Sequence, residues 1–257
     1  MNDLTIQTLL SLSEKAAHCV LAIYQKPSFD VRCKEDKSPL TEADSASHAI
    51  ICAGLQQHFP AIPVISEEST EFHSYAVRQQ WETFFLVDPL DGTKEFIHRN
   101  HEFTINIALI HQNQPVMGVI HAPALGVIYY AEKNKGAFKI IQNKTMKLSP
   151  TQSEKNNTVT VAVSRSHFCH ETETFLQDLR DQGKKVVTIS AGSALKFGLV
   201  AEGLADIYPR LTPTMEWDTA AGQILVNEVG KKMTLIESGE VLRYNKKELK
   251  NGGFVVE

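Results

Sequence analysis

Five β-rich runs, TFFLVD, FTINIALIH, PVMGVIHA, GVIYYAE and GAFKII, follow one another between Thr83 and Ile141, separated by Asn, Pro, Gly and Lys signals. They predict a mostly antiparallel meander, and every other element has to pack around it. Upstream, Leu9, Ser13, Ala16, Ala17, Val20, Leu21 and Tyr24 recur at helical spacing, so a first helix is expected over about 3 to 25, closed by Pro27. KSPLTEADSASHAIICAGLQQHF reads as a loop, a Thr41 cap and a second helix with Ala46, Ala49, Ile50 and Ala53 inward. Pro60 and Pro63 end that helix, and IPVISEES is a short strand running into a loop.

Downstream, the polar segment KLSPTQSEKNN marks a boundary near residues 148 to 157. Beyond it strands TVTVAVSR, KKVVTIS and ADIYPR alternate with helices over about 168 to 182, in SALKFGLVAEG and in TAAGQILVNEV. The expected fold class is α/β, a layered α+β sandwich. Residues 1–150 would form an N-terminal lobe of helices and largely antiparallel sheet, and 151–257 a C-terminal α/β lobe, the two making one compact catalytic unit with a cleft between them.

The formal net charge of −4 gives no basic footprint for nucleic acid or an anionic membrane. Cys19, Cys33, Cys52 and Cys169 form no CxxC pair, which suits reduced structural thiols rather than zinc or disulfides. The first 25 residues lack a basic n-region and carry acids, so they are read as neither signal peptide nor membrane span, and the expected compartment is the cytoplasm.

The chemistry concentrates in FLVDPLDGTKEF, Phe85 to Phe96, where an apolar strand runs straight into two aspartates. Carboxylates at the end of a buried strand are costly unless something positive lies between them. Asp88 and Asp91 followed by Gly92 and Thr93 fit a metal-bridged phosphate site, and equally a capped turn with Asp91 as N-cap and Asp88 in a salt bridge. Glu67 and Glu68 end a second strand, and Asp218 precedes a small-residue helix. Each alone reads as a loop acid or an N-cap. HRNHE, His98 to Glu102, lacks HExxH spacing and reads as a surface loop.

SEEST, DPLDGTKEF and EWDTAAG, in that order and at those intervals, together with KEDKSPLTEAD, resemble the inositol monophosphatase superfamily of Mg²⁺-dependent, lithium-sensitive phosphatases. Lys94-Glu95-Phe96 replaces the T-N-F usual in the inositol branch. VSRSH (Val163 to His167), GSALKF (Gly192 to Phe197), ADIYPR (Ala205 to Arg210), PTMEWD (Pro213 to Asp218) and RYNKKEL are similar to the 3'(2'),5'-bisphosphate nucleotidases of the CysQ type. NEVGKK and KNGGFVV depart from the family pattern without touching an expected ligand.

The resemblance implies an inositol monophosphatase-like fold with two Mg²⁺ ions and room for a third near Glu67. Glu67, Asp88 and the Leu90 carbonyl would hold one ion, and Asp88, Asp91 and Asp218 the other. It implies in-line attack of a metal-bound water, with Asp44, Thr93 and Glu67 as catalytic residues. The implied substrate contacts are Glu67, Leu90, Asp91, Gly92, Thr93, His167, Ser193, Lys196, Arg210 and Asp218. Without the resemblance, Lys196 reads as a solvated helix face and Arg210 as a strand-end charge. The implied reaction is hydrolysis of adenosine 3',5'-bisphosphate (PAP) to AMP and phosphate, and of its sulfated relative PAPS to APS, as part of sulfate assimilation. An inositol monophosphatase or sugar-bisphosphatase is the alternative enzyme, and a non-catalytic phosphonucleotide sensor is the alternative of another class. A small-molecule phosphonucleotide is the expected partner, with no nucleic acid, membrane segment or protein partner implied.

Overall fold

The computed structural model describes residues 3–33, 39–69, 73–149, 157–166 and 169–257. The expected boundary near 148 to 157 falls largely outside these residues, and His167 falls outside them entirely. A long helix, α1 (Asp3–Tyr24), precedes a short antiparallel pair, β1 (Val31–Cys33) and β2 (Pro39–Thr41), and then α2 (Glu42–His58). Next come β3 (Val64–Ser66), the one-turn α3 (Tyr75–Arg78), β4 (Thr83–Asp91) and the short α4 (Thr93–Ile97). The meander is β5 (Thr104–His111), β6 (Gln114–Ala122), β7 (Val127–Glu132), β8 (Gly136–Ile141) and β9 (Lys144–Lys147). The remainder is β10 (Thr158–Ser164), α5 (His170–Asp181), β11 (Lys185–Ala191), α6 (Leu195–Ala201), β12 (Tyr208–Arg210), β13 (Thr214–Met215) and α7 (Glu216–Asn227). It closes with β14 (Met233–Leu235), β15 (Lys250–Asn251) and β16 (Phe254–Val256).

Strands β3 to β9 form one sheet in chain order, antiparallel throughout except for the parallel β3–β4 edge. Period-two alternation splits its side chains between two faces. Phe85, Val87, Ile105, Ile107 and Leu109 pack with Leu9, Val20, Ile51 and Leu55 of α1 and α2. Phe84, Leu86, Ala108, Ile110 and Ile120 pack with Phe197 of α6 and with Trp217, Ala221 and Ile224 of α7. The molecule is therefore layered helix–sheet–helix, and α7, from the C-terminal half, lies directly on the sheet built by the N-terminal half.

Downstream, β10 and β11 pair in parallel, as expected of βαβ logic, with α5 between them in sequence. ADIYPR contributes only a three-residue strand, which pairs with β16 in the order β12-β16-β14. No described helix is long and apolar enough to cross a membrane. Cys19, Cys52 and Cys169 are free thiols.

Helix α2 differs from its expected phase. Its buried face is Ala43, Asp44, Ser47, Ile51, Gly54 and Leu55, whereas Ala49 and Ala53 face solvent. The reason is polar. Ser47 Oγ donates to the Pro89 carbonyl at 2.7 Å, and Asp44 serves the turn after β4, so the helix turns hydrogen-bonding groups toward that turn.

Candidate active site

β4 delivers the two aspartates through a defect in its ladder. Residues three apart on a regular strand face opposite sides. Here the register with β5 shifts between Asp88 and Asp91, at Pro89, which has no N–H to give to a ladder. Asp88 Oδ1 accepts from the Leu90 N–H at 3.1 Å, which closes the turn. Gly92 then adopts a left-handed conformation (φ 88°) and caps α4, so Thr93 rather than an aspartate opens the helix. Phe96 on that helix is fully buried against Tyr24, Phe29 and Phe103, and this anchors the turn to α1. Burying such a ring is worth about 2–3 kcal/mol.

Gly92 has no room for a side chain, because a Cβ there would lie 2.0 Å from Ser193 Oγ. We expect Gly92→Ala to destabilise the protein by about 2–3 kcal/mol through left-handed strain and that clash together. A melting curve more than about 5 °C below the wild type would show it, and an unchanged curve would refute the packing described.

Carboxylate oxygens of Glu67, Asp88 and Asp218 come within 4.8 Å of one another. Glu67 follows β3, its N–H donating to the Val87 carbonyl at 3.1 Å, which sets it beside the end of β4. Asp218 sits in the first turn of α7 and accepts from the Met215 N–H at 2.8 Å. Burial pushes the Asp88 carboxyl well above the usual carboxylate range, and repulsion from Glu67, Asp91 and Asp218 adds to it. Asp218 is raised in the same way by burial, then by Asp91. Asp91 rises to about 6 through burial, with Lys196 opposing. Thr104 and Asn106 reach its Oδ2 at 3.4 and 3.5 Å.

Converging buried carboxylates that raise one another's pKa are an unstable arrangement without cations, and an all-oxygen set of this kind suits a hard divalent ion. The residues present therefore fit a metal. Asp218 is not the N-cap expected from the sequence but the third residue of α7, because the helix already begins at Glu216. It accepts the Met215 N–H with one oxygen, as Asp44 accepts that of Thr41 on α2, which leaves its other oxygen for a metal.

Asp44 is 1 % exposed and is gripped by the Thr41 N–H at 2.7 Å and the Thr41 hydroxyl at 2.6 Å, both on Oδ2. Its Oδ1 accepts from the Thr93 hydroxyl at 3.2 Å. The capping box of α2 thus fixes an acceptor beneath Thr93.

The same pocket, a cavity of about 300 Å³, is lined also by Ser193, Lys196 and Arg210, together with Tyr208, Trp217 and Phe254. Lys196 is 2 % exposed rather than solvated, and its ammonium donates to the carbonyls of Ser193 at 2.7 Å and Ala191 at 3.2 Å over the Tyr208 ring. Burial lowers it to about 8, against the pull of Asp91. Arg210 Nε is buried with no hydrogen-bond partner among the described residues. A buried guanidinium nitrogen facing no acceptor is costly in a structure that is finished, and intelligible in one that awaits an anion. Glu67, Asp88, Leu90, Asp91, Gly92, Thr93 and Asp218 line that cavity as well.

Across residues 1–256 the chain matches the profile of the inositol monophosphatase family. The chain belongs to the inositol monophosphatase family. Within the family it is 43% identical to the 3'(2'),5'-bisphosphate nucleotidase CysQ of Salmonella typhimurium, over 98% of each chain. The solved structure of CysQ from Bacteroides thetaiotaomicron is 41% identical and superposes with a TM-score of 0.87 over 98% of this chain and 96% of that one. The extragenic suppressor protein SuhB of Bartonella henselae is 25% identical with a TM-score of 0.80, covering 99% of this chain and 93% of its own. The inositol monophosphatase family is metal-dependent, in keeping with the acid group described.

The α7 terminus that carries Asp218 is held by residues from the far end of this family member. Buried Glu216 accepts from the N–H groups of Asn245 at 2.7 Å and Lys246 at 3.0 Å, and from the Lys246 ammonium at 2.7 Å. Asn251 Nδ2 donates to the Met215 carbonyl at 2.9 Å and to Thr219 Oγ1 at 3.0 Å. RYNKKEL, noted for its resemblance alone, thus acts as a brace for α7.

Proposed function

We propose that the chain is a Mg²⁺-dependent 3'(2'),5'-bisphosphate nucleotidase that hydrolyses PAP to AMP and phosphate, and PAPS to APS. The observation that carries this is the union, in one cavity, of a convergent acid group with two cations, the buried Lys196 and the half-buried Arg210 with its unpartnered Nε. The acids suit a phosphate brought in with metal, and the cations suit a second anion held apart from it. Similarity to CysQ nucleotidases over nearly the whole chain supports the same reading.

Glu67, Asp88 and the Leu90 carbonyl would hold one ion, and Asp88, Asp91 and Asp218 the other. When bound, such ions lower the pKa of water and offset the charge of the phosphate. The remaining work falls to the chain. The Thr93 hydroxyl lies 3.2 Å from Asp44 Oδ1 and 3.4 Å from the Leu90 carbonyl, and when it donates to the charged Asp44 its oxygen offers a lone pair that orients the attacking water. Asp44, anchored by Thr41, keeps that hydroxyl from rotating. Water adds to phosphorus in line and gives up a proton, the bond to the 3'-oxygen breaks, and that oxygen takes up a proton from solvent as AMP leaves, so that one water is consumed per phosphate released. Arg210 and Lys196, with Ser193 and His167 as hydrogen-bonding neighbours, would receive the other phosphate, the guanidinium by paired donors and the ammonium as a point charge. We place this activity in the cytoplasm.

The test is inorganic phosphate release from purified protein on PAP, inositol 1-phosphate and fructose 1,6-bisphosphate, with and without Mg²⁺ and Li⁺. Mg²⁺-dependent, Li⁺-sensitive release favouring PAP is expected. Preference for inositol 1-phosphate would keep the acid site and discard the roles of Lys196 and Arg210. Binding of PAP without release would make the protein a sensor.

A further inference from the structure

Two glutamates outside the acid group carry the substrate wall of the cavity. Glu95 lies on α4 and Glu102 in the loop before β5, and both reach across to the segment that follows β10. Arg165 Nε donates to Glu102 Oε2 at 2.6 Å and Arg165 Nη2 to Oε1 at 2.8 Å, a bidentate pair. Glu102 Oε2 also accepts the Gly192 N–H at 2.8 Å, and the Glu102 carbonyl accepts from Ser193 Oγ at 2.7 Å. Ser193 Oγ lies 2.9 Å from the Asp91 carbonyl as well, so a single hydroxyl ties this wall to the acid-bearing turn. Beside it, Ser166 donates to Glu95 Oε1, and Arg165 Nη2 reaches the Ser190 carbonyl at 3.2 Å.

The fit is tight. A Cβ on Gly192 would lie 2.8 Å from the Glu102 carbonyl oxygen and 2.9 Å from Glu95 Cγ. The Arg165 side chain is nevertheless 45% exposed, and a pair so open to water contributes little to global stability. What a bidentate pair supplies at such a place is direction.

We propose that Glu102 and Arg165, with Glu95 and Ser166 beside them, are positioning residues. They hold the 190–193 turn, and with it Ser193 and Lys196, at the separation from the acid group that a second phosphate requires. The proposal rests on the nucleotidase reading and extends it to Glu102, Arg165 and Ser166, which stand behind the cavity lining, and to Glu95 at its edge. Loosening this clasp impairs recognition of a bisphosphate and leaves hydrolysis itself in place.

The experiment compares Arg165→Ala, Glu102→Gln and the double variant on PAP and on adenosine 3'-monophosphate, which lacks the 5'-phosphate. Each single variant should raise KM for PAP about tenfold, the scale of a lost charge-assisted pair, with kcat within about twofold and KM for the monophosphate unchanged. The double variant should be no worse than either single one, because all three break the same pair. An unmoved KM for PAP in Arg165→Ala, or equal losses on both substrates, overturns the proposal. Arg165 lies at the surface, so its variant decides the matter even if Glu102→Gln fails to fold. Wild-type silence on both nucleotides refutes the nucleotidase reading itself, whereas wild-type turnover with an unmoved KM refutes only the clasp.

Discussion

Asp88→Asn is expected to abolish phosphate release, by at least about a thousandfold, while leaving the protein folded and, without metal, more stable than the wild type. Asp88 is 1 % exposed and faces Glu67, Asp91 and Asp218, so its charge is the costliest of the group when no cation is present. An amide of the same shape removes that repulsion and also removes the carboxylate assigned to both ions. The two effects have opposite signs, which separates this variant from one that merely unfolds.

Linkage gives the same prediction for the wild type against pH. Asp91 is raised to about 6, and Asp88 and Asp218 are raised well above the usual range. Between roughly pH 4 and 6 these carboxyls therefore hold more protons in the folded chain than in the unfolded one. His121, lowered to about 4 by burial, and His48, also lowered, act in the opposite sense. The acid group's contribution to metal-free stability must fall as pH rises through that window, by on the order of 3 kcal/mol for Asp91 alone. The difference between wild type and Asp88→Asn isolates it from the histidines. Mg²⁺ at pH 7 to 8 should restore it by binding only the folded state. Thermal melts over pH 4 to 8 with chelator and with Mg²⁺ measure both. A metal-free protein that gains stability relative to Asp88→Asn across that range, or an active Asp88→Asn enzyme, would remove the acid group from the mechanism.

Arg210→Ala is expected to lower kcat/KM on PAP by on the order of a hundredfold, with a much smaller loss on adenosine 3'-monophosphate. The buried Nε has no hydrogen-bond partner among the described residues, but the guanidinium charge offsets Asp91 and Asp218, so the variant should melt lower than the wild type without metal and close to it with Mg²⁺. Steady-state rates on the two substrates decide the outcome. Equal losses would assign Arg210 to the reacting phosphate or to the fold, and would detach the bisphosphate preference from this wall.

The meander was legible because its strands are short, β-rich and bracketed by turn residues, and local sequence fixes all three. The acids were legible in part: FLVDPLDGT shows two carboxylates at a strand end, but only the shift of register at Pro89 explains why both enter one cavity. The inward face of α2 was misphased because apolar periodicity was followed, whereas that helix buries Asp44 and Ser47 to serve the turn after β4. Lys196 looked like a solvated face because nothing local reports that β12 places Tyr208 over it. The clasp was invisible for a plainer reason. Glu102 and Arg165 are 63 residues apart, Glu95 and Ser166 are 71 apart, and each alone reads as a surface residue.

The brace on α7 bears on how the protein is made. Asp218 has its place only once Asn245, Lys246 and Asn251 hold the start of α7, and Phe254 of the final strand closes the cavity wall. A chain still leaving the ribosome can lay down the meander, whose contacts are between neighbours, but it lacks the fourth acid in position and the cover over the cavity. Placing the fourth acid therefore depends on contacts between the start of α7 and residues 245–251, which the meander alone does not supply.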